Sequence, residues 1–145
     1  MTNVARDLVS RQTKSTTTVY NALVEIGHAT NAQIQARVQV DYPDISATTI
    51  HRITARLKDR GLIGCAPKSL NGSERYDANP SAHHHFMCTV CGDVCDLPNG
   101  ESTHQAVENL RQLSADCALA GTLTLKGVCR DCNYKEESNH ENNNL

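Results

Sequence analysis

The sequence predicts an α+β protein of two small units, three helices with a β-hairpin first and a cysteine-pinned strand-helix-strand unit second. Three observations carry that expectation. Three stretches with apolar residues at helical spacing precede two strand-like pieces around an Asn-Gly turn. After Pro80 the period changes from helical to alternating. Two Cys-x-x-Cys pairs, Cys88 with Cys91 and Cys129 with Cys132, then bracket the second half.

In the first half, Thr13 to Thr18 offer helix caps, and Val19, Ala22, Leu23, Val24 and Ile26 give a helix of about three turns stopped by Gly27. Residues 28–31 read as a loop whose Thr30 or Asn31 caps a second helix carrying Ile34, Ala36 and Val38, broken at Tyr42-Pro43-Asp44. Ser46 caps a third helix, 47–60, with Ile50, Ile53 and Leu57 as its buried stripe and Gly61 as its stop. Its other face carries Thr48, Thr49, His51, Arg52, Arg56 and Lys58. Strands at 62–66 and 74–77 flank the turn at Asn71-Gly72. Three helices followed by a hairpin is the winged helix-turn-helix order, in which the third helix enters the major groove of DNA and small polar and basic residues near its start reach base edges. A polar face on any small helical domain is the plainer reading.

Residues 79–82 form a hinge between a unit of residues 1–78 and one of residues 83–135. On the strand that follows, His83, His85 and Met87 point one way and His84 and Phe86 the other. A second strand covers 94–97, Ser102 or Thr103 caps a helix with Val107, Leu110 and Leu113, and 119–128 reads as a third strand. Residues 136–145 read as an Asn-rich polar tail without fixed structure.

Composition sets bounds on these units. With one Phe, no Trp and four Tyr among 145 residues, two small units needing a metal staple and a partner subunit fit better than one dense core. Through Lys68 nine basic side chains face five acidic ones, and from Ser69 onward five face eleven. A half biased toward polyanions joined to an acidic control half fits a nucleic-acid reader, and chance asymmetry is the alternative. Residues 1–10 hold Arg6 and Asp7 and no apolar run, and no stretch approaches a membrane span, so a reduced, cytoplasmic protein with bound metal is expected.

Cys88, Cys91, Cys129 and Cys132 have the spacing of a four-thiolate zinc site, the 37-residue gap enclosing a strand, a helix and a strand. Four thiolates fill the ion's shell, so such a zinc is structural; unrelated thiols or a redox pair are the alternatives. Cys65, Cys95 and Cys117 are expected to be buried, inert thiols. His83 and His85 share a strand face that Asp96 could reach through the turn at Gly92, with Asp77 before the hinge and His28 in the first unit. Nitrogen and carboxylate ligands without sulfur favour iron(II) or manganese(II), with zinc a further occupant and surface decoration the plainer reading.

The run His83-x-His85-x-x-Cys88-x-x-Cys91-Gly92, the late Cys129-x-x-Cys132, Arg75-Tyr76-Asp77 before the hinge, and Thr49-Ile50-His51-Arg52 resemble the ferric uptake regulator family of bacterial metal-responsive repressors. The resemblance spans residues 5–135. It implies a homodimer on a near-palindromic double-stranded operator, with a winged helix, a dimerisation unit holding the four-Cys zinc, and a regulatory metal between them. Carried over residue by residue, the regulatory ligands are His28, Asp77, His83, His85 and Asp96, a set most like the peroxide-sensing branch, in which bound iron reacts with peroxide and ligand histidines, here His28 and His83, are oxidised. The iron-sensing branch has glutamates where Asp77 and Asp96 stand. Two departures stand out: His51 replaces the family's usual Tyr, and Ala82, His84 and Gly121 lack the side chains of a further metal site found in some members. The rival expectations are a repressor responding to iron, manganese or zinc without peroxide chemistry, a metalloenzyme, and a zinc-ribbon interaction adaptor.

Overall fold

The computed structural model describes residues 14–114, 117 and 121–141, the last of these with side chains to Lys135. The expected turns at 4–10, the cap candidate Thr13 and the start of the third expected strand at 119–120 lie outside the described residues. The chain divides into two compact units with the boundary between Ser81 and Ala82. The first holds α1 (Lys14–Ile26), β1 (His28–Thr30), α2 (Asn31–Val38), α3 (Ala47–Asp59), β2 (Gly64–Ala66) and β3 (Arg75–Asp77). The second holds β4 (His85–Cys88), β5 (Val94–Asp96), α4 (Glu101–Leu113), β6 (Thr124–Gly127) and α5 (Arg130–Glu141).

In the first unit the apolar stripes of the three helices meet. Val19, Ala22 and Leu23 of α1, Ile34 and Val38 of α2, and Ile50, Ile53 and Leu57 of α3 form one core with Ala29, Ile63 and Tyr76. Each fully buried aliphatic side chain there stabilises by about 1.5–3 kcal/mol. Val24 and Ile26, expected on the stripe, are exposed: Val24 lies about 100° around the helix from Leu23, and Ile26 is the last helical residue. The caps expected on the second and third helices form, whereas Ser15 to Thr18 lie inside α1 rather than capping it. Thr30 and Gln33 close a capping box on α2, and Ser46 Oγ accepts from the Thr49 amide at 3.1 Å to start α3. Gly61 follows α3 in the left-handed region, at φ +69°.

The segment expected as a loop at 28–31 is instead a strand over its first three residues. Gly27, at φ +90°, turns the chain out of α1, and β1 then takes the edge of β3 that the hairpin leaves unpaired. The sheet order is β1-β3-β2, all antiparallel, with both His28 and Gly64 in register with Asp77. The two hairpin strands are shorter than expected.

The second unit is a sheet of order β5-β4-β6, β4 antiparallel to β5 and parallel to β6. The strand begins at His85, not His83, and the alternation holds within it: His85 and Met87 are buried and Phe86 is half-buried. α4 starts at Gly100 with no side-chain cap, so neither Ser102 nor Thr103 serves as one. None of its residues is buried, and Leu113 is 84% exposed. The polar stretch expected to lack structure from 136 continues as helix to Glu141; a tract of Glu, Ser, Asn and His needs no apolar face to extend a helix already begun at Arg130. Cys65, Cys95 and Cys117 are exposed rather than buried. Cys65 and Cys95 sit on β2 and β5, which are edge strands with outward-facing positions. Among the described residues no helix is long and apolar enough to cross a membrane.

Candidate metal centres and DNA-reading face

The sequence of the first knuckle folds it around a sulfur. Gly92, at φ +79°, allows the turn that brings its own amide to Cys88 O at 3.0 Å, while the Cys88 amide donates to Asp93 O at 2.9 Å. Pairing of Cys88 with Gly127 across β4 and β6 carries the second knuckle to the same place. The Thr89 amide donates to Gly127 O at 2.8 Å, fastening the crossing just beyond the strands. One sulfur from each of Cys88, Cys91, Cys129 and Cys132 falls within a cluster no wider than 4.8 Å, and Cys91 Sγ lies 3.8 Å from Cys129 Sγ. A tetrahedral zinc with Zn–S bonds of about 2.3 Å holds its sulfurs about 3.8 Å apart. The donor set therefore fits a structural zinc, and all four expected ligands are brought together.

The electrostatics fit too. Backbone amides of Cys129, Cys91 and Val90 aimed at Cys88 hold its thiol down to about 6, with the Cys129 and Val90 amides at 3.3 and 3.4 Å from the sulfur. Cys132 is pushed up to about 12, first because it shares a proton with Cys129 and then by burial. One sulfur is thus prepared as a thiolate, and another keeps its proton until a cation displaces it.

Of the expected regulatory ligands, His28 and Asp77 belong to the first unit and His83, His85 and Asp96 to the second. In the first, β1 and β3 set His28 beside Asp77, with Nε2 3.4 Å from Oδ2 and both side chains largely buried. Asp77 Oδ1 accepts the Asn79 amide at 2.8 Å. In the second, Asp96 Oδ1 lies 2.9 Å from His83 Nε2 and 3.5 Å from His85 Nε2, and the two rings are 4.4 Å apart. His83 precedes the strand yet its ring packs against that of His85. His84 is kept out of this group: its Nδ1 accepts the Leu123 amide at 3.0 Å. Adjacent ligands of a six-coordinate divalent ion with bonds of about 2.1 Å are about 3 Å apart. Both groups offer donors at such separations, and neither contains sulfur, which fits iron(II) or manganese(II).

On α3, Thr48, His51, Arg52 and Arg56 are exposed, opposite the buried Ile50, Ile53 and Leu57. Thr49 is half-buried, and its hydroxyl lies 2.9 Å from Ser46 Oγ, so it belongs to the helix cap as much as to the outer face. A buried threonine ties two of the helices together. Thr54, fully buried in α3, places its hydroxyl 2.9 Å from Asn31 Oδ1 at the start of α2. A Thr inside an apolar stripe is the only hint the sequence carries.

A three-helix unit with a β wing, followed by an αβ unit closed by four thiols, defines a winged-helix regulator with a structural zinc. The chain belongs to the ferric uptake regulator family, whose model matches residues 8–117, and it is a metal-responsive transcription regulator of that family. It is 30% identical over 112 residues to the peroxide-responsive repressor PerR of Staphylococcus aureus, covering 74% of this chain and 72% of that protein. Among solved structures, the Helicobacter pylori ferric uptake regulator Fur aligns with a TM-score of 0.68 at 17% identity, over 90% of this chain and 89% of that one. The Campylobacter jejuni peroxide stress regulator aligns with a TM-score of 0.61 at 23% identity, over 81% and 87%.

Proposed function

We propose that the protein is a homodimeric, metal-dependent repressor that binds a near-palindromic operator and is released from it by peroxide. The observation that carries this reading is the sorting of donors: four thiols cluster together, and imidazoles gather with carboxylates apart from any sulfur. A closed thiolate site holds structure, whereas an oxygen and nitrogen site exchanges its ion with the cell. One regulatory ion is held jointly by His28 and Asp77 of the first unit and by His83, His85 and Asp96 of the second. Ligands drawn from both units give the ion a higher affinity for one arrangement of the units than for others, and that difference drives the switch. In that arrangement α3 of each subunit meets one half-site, with Thr48, Thr49, His51 and Arg52 toward the base edges.

Aspartates at both Asp77 and Asp96, and the likeness to the S. aureus peroxide-responsive repressor, support the peroxide-sensing branch. The five ligand side chains would hold iron(II), which would supply the redox chemistry by which hydrogen peroxide gives one oxygen atom to a ligand ring and leaves as water, the ring losing the two electrons. His28 and His83 contribute imidazoles whose oxidation removes a donor and weakens the closed arrangement. Family membership favours a regulator over a metalloenzyme. A cytoplasmic setting follows from its DNA target and from thiols that must stay reduced to hold zinc.

The test is an operator gel shift with zinc-loaded protein and either iron(II) or manganese(II), repeated after hydrogen peroxide. Both metals should support binding, and peroxide should release only the iron form, with one oxygen added to His28 or His83 by mass spectrometry. Equal loss of DNA with both metals, or with neither, overturns the peroxide reading and leaves a repressor that reads the metal alone. His28→Ala should abolish the metal response while zinc content stays at wild type.

A further inference from the structure

Asp77 stands in the middle of a lateral row across the first unit's sheet, with His28 on one side and Gly64 on the other. The chain does not leave Asp77 as a loose linker. The Ala78 amide donates to Gly27 O at 2.9 Å, the Asn79 amide donates to Asp77 Oδ1 at 2.8 Å, and the Ser81 amide donates to Asn79 Oδ1 at 3.0 Å. Two successive side-chain-to-backbone turns, Asp77 to Asn79 and Asn79 to Ser81, thus fix the segment. Pro80 adds stiffness by restricting Asn79 to extended conformations.

Gly64 supplies the berth for this segment. A Cβ at position 64 would lie 2.8 Å from Asn79 O and 3.4 Å from Pro80 Cα, closer to the carbonyl than a real side chain comes. Its φ is not in the left-handed region, so glycine is required here for the close approach of another backbone rather than for its own conformation. The result bears on the carboxylate. With Oδ1 engaged by the Asn79 amide, Asp77 presents Oδ2 to the His28 side, at 3.4 Å from Nε2.

We infer that residues 78–81 are a strap that aims the Asp77 carboxylate at the regulatory metal, with Gly64 and Asn79 as its positioning residues. The inference rests on the reading of Asp77 and His28 as ligands, and it goes beyond that reading by assigning a role to two residues that donate nothing to the ion. Groups that orient a ligand typically change metal affinity by about tenfold to a hundredfold when removed.

The experiment is equilibrium dialysis of manganese(II) against full-length, zinc-loaded protein without DNA, for wild type, G64A, N79A, N79D, H28A and D77A. Zinc content and melting temperature are measured on each. G64A displaces the Asn79 carbonyl and N79A removes the acceptor for Ser81, so each should weaken manganese(II) binding about tenfold or more, at unchanged zinc content. N79D keeps that acceptor and should restore near wild-type binding, which a general loss of stability would not allow. If G64A does not fold, N79A with its N79D rescue decides alone. Wild-type manganese(II) affinity in N79A, with H28A and D77A defective, overturns the strap and leaves the ligand assignment standing. Wild-type affinity in H28A and D77A overturns both.

Discussion

At the scale of single residues, Cys88 and Cys132 are prepared for zinc in opposite ways, and the consequence can be measured as a pH dependence. Amide donors led by that of Cys129 lower the Cys88 thiol to about 6, so in the folded, metal-free protein its thiolate is stabilising above the ordinary value of 9.0. That contribution is lost as pH falls through about 6. Cys132, held up to about 12 by its neighbour's sulfur and by burial, gives up a proton whenever zinc binds. Zinc affinity should therefore fall on acidification from pH 8 to 6, by about tenfold per pH unit for each proton displaced. Competition with a chromogenic chelator measures it, and an affinity independent of pH would contradict the assignment. The four thiols were legible in the sequence because Cys-x-x-Cys spacing encodes a knuckle locally. The role of Asn79 was not, since it depends on a glycine fifteen positions earlier having no side chain.

At the scale of elements, α3 shows what local chemistry fixes and what it leaves to neighbours. Its cap, its buried stripe and its glycine stop were all readable, because each is set by residues within the helix or one beyond it. Ser46→Ala should cost about 1 kcal/mol in urea unfolding, and Ser46→Gly only a few tenths. Thr54→Val, which removes the hydroxyl beside Asn31, should cost about 1–3 kcal/mol, because Asn31 Oδ1 then loses a partner in a partly buried place; a neutral outcome in the same assay would mean that water replaces it. β1 illustrates the opposite case. Three residues after a helix-stopping glycine look like a loop, and they become a strand only because β3, some 45 positions later, offers an edge. Pairing partners distant in sequence leave no local mark, whereas the missing cap of α4 is local, because the cap position is Gly100, which has no side chain to offer.

At the scale of the whole molecule, the first unit carries a continuous aliphatic core, whereas among the described residues of the second the buried apolar ones are Met87 with the zinc-site sulfurs of Cys88 and Cys132. Zinc removal should accordingly unfold the second unit and spare the first. Hydrogen exchange on chelator-treated protein should find protection retained at α1 to α3 and lost at β4 to β6; uniform loss would show that the units fold as one. The two-unit plan was legible from the change of period at Pro80 and from the cysteine brackets, since a metal staple compensates for a core too small to hold alone. The continuation of α5 to Glu141 was not, because a polar tract carries the same composition whether helical or not. The bridge from Thr54 to Asn31 has a consequence at this scale. Asn31 follows directly on the strand bearing His28, and Thr54 belongs to α3, so the proposed ligand and the proposed DNA-reading helix are tied within one compact unit. Coupling between two binding events is reciprocal. Under the proposed function, whatever factor the metal adds to operator affinity the operator adds to metal affinity, so molecules seated on DNA should be the last to release the regulatory metal as its supply runs down.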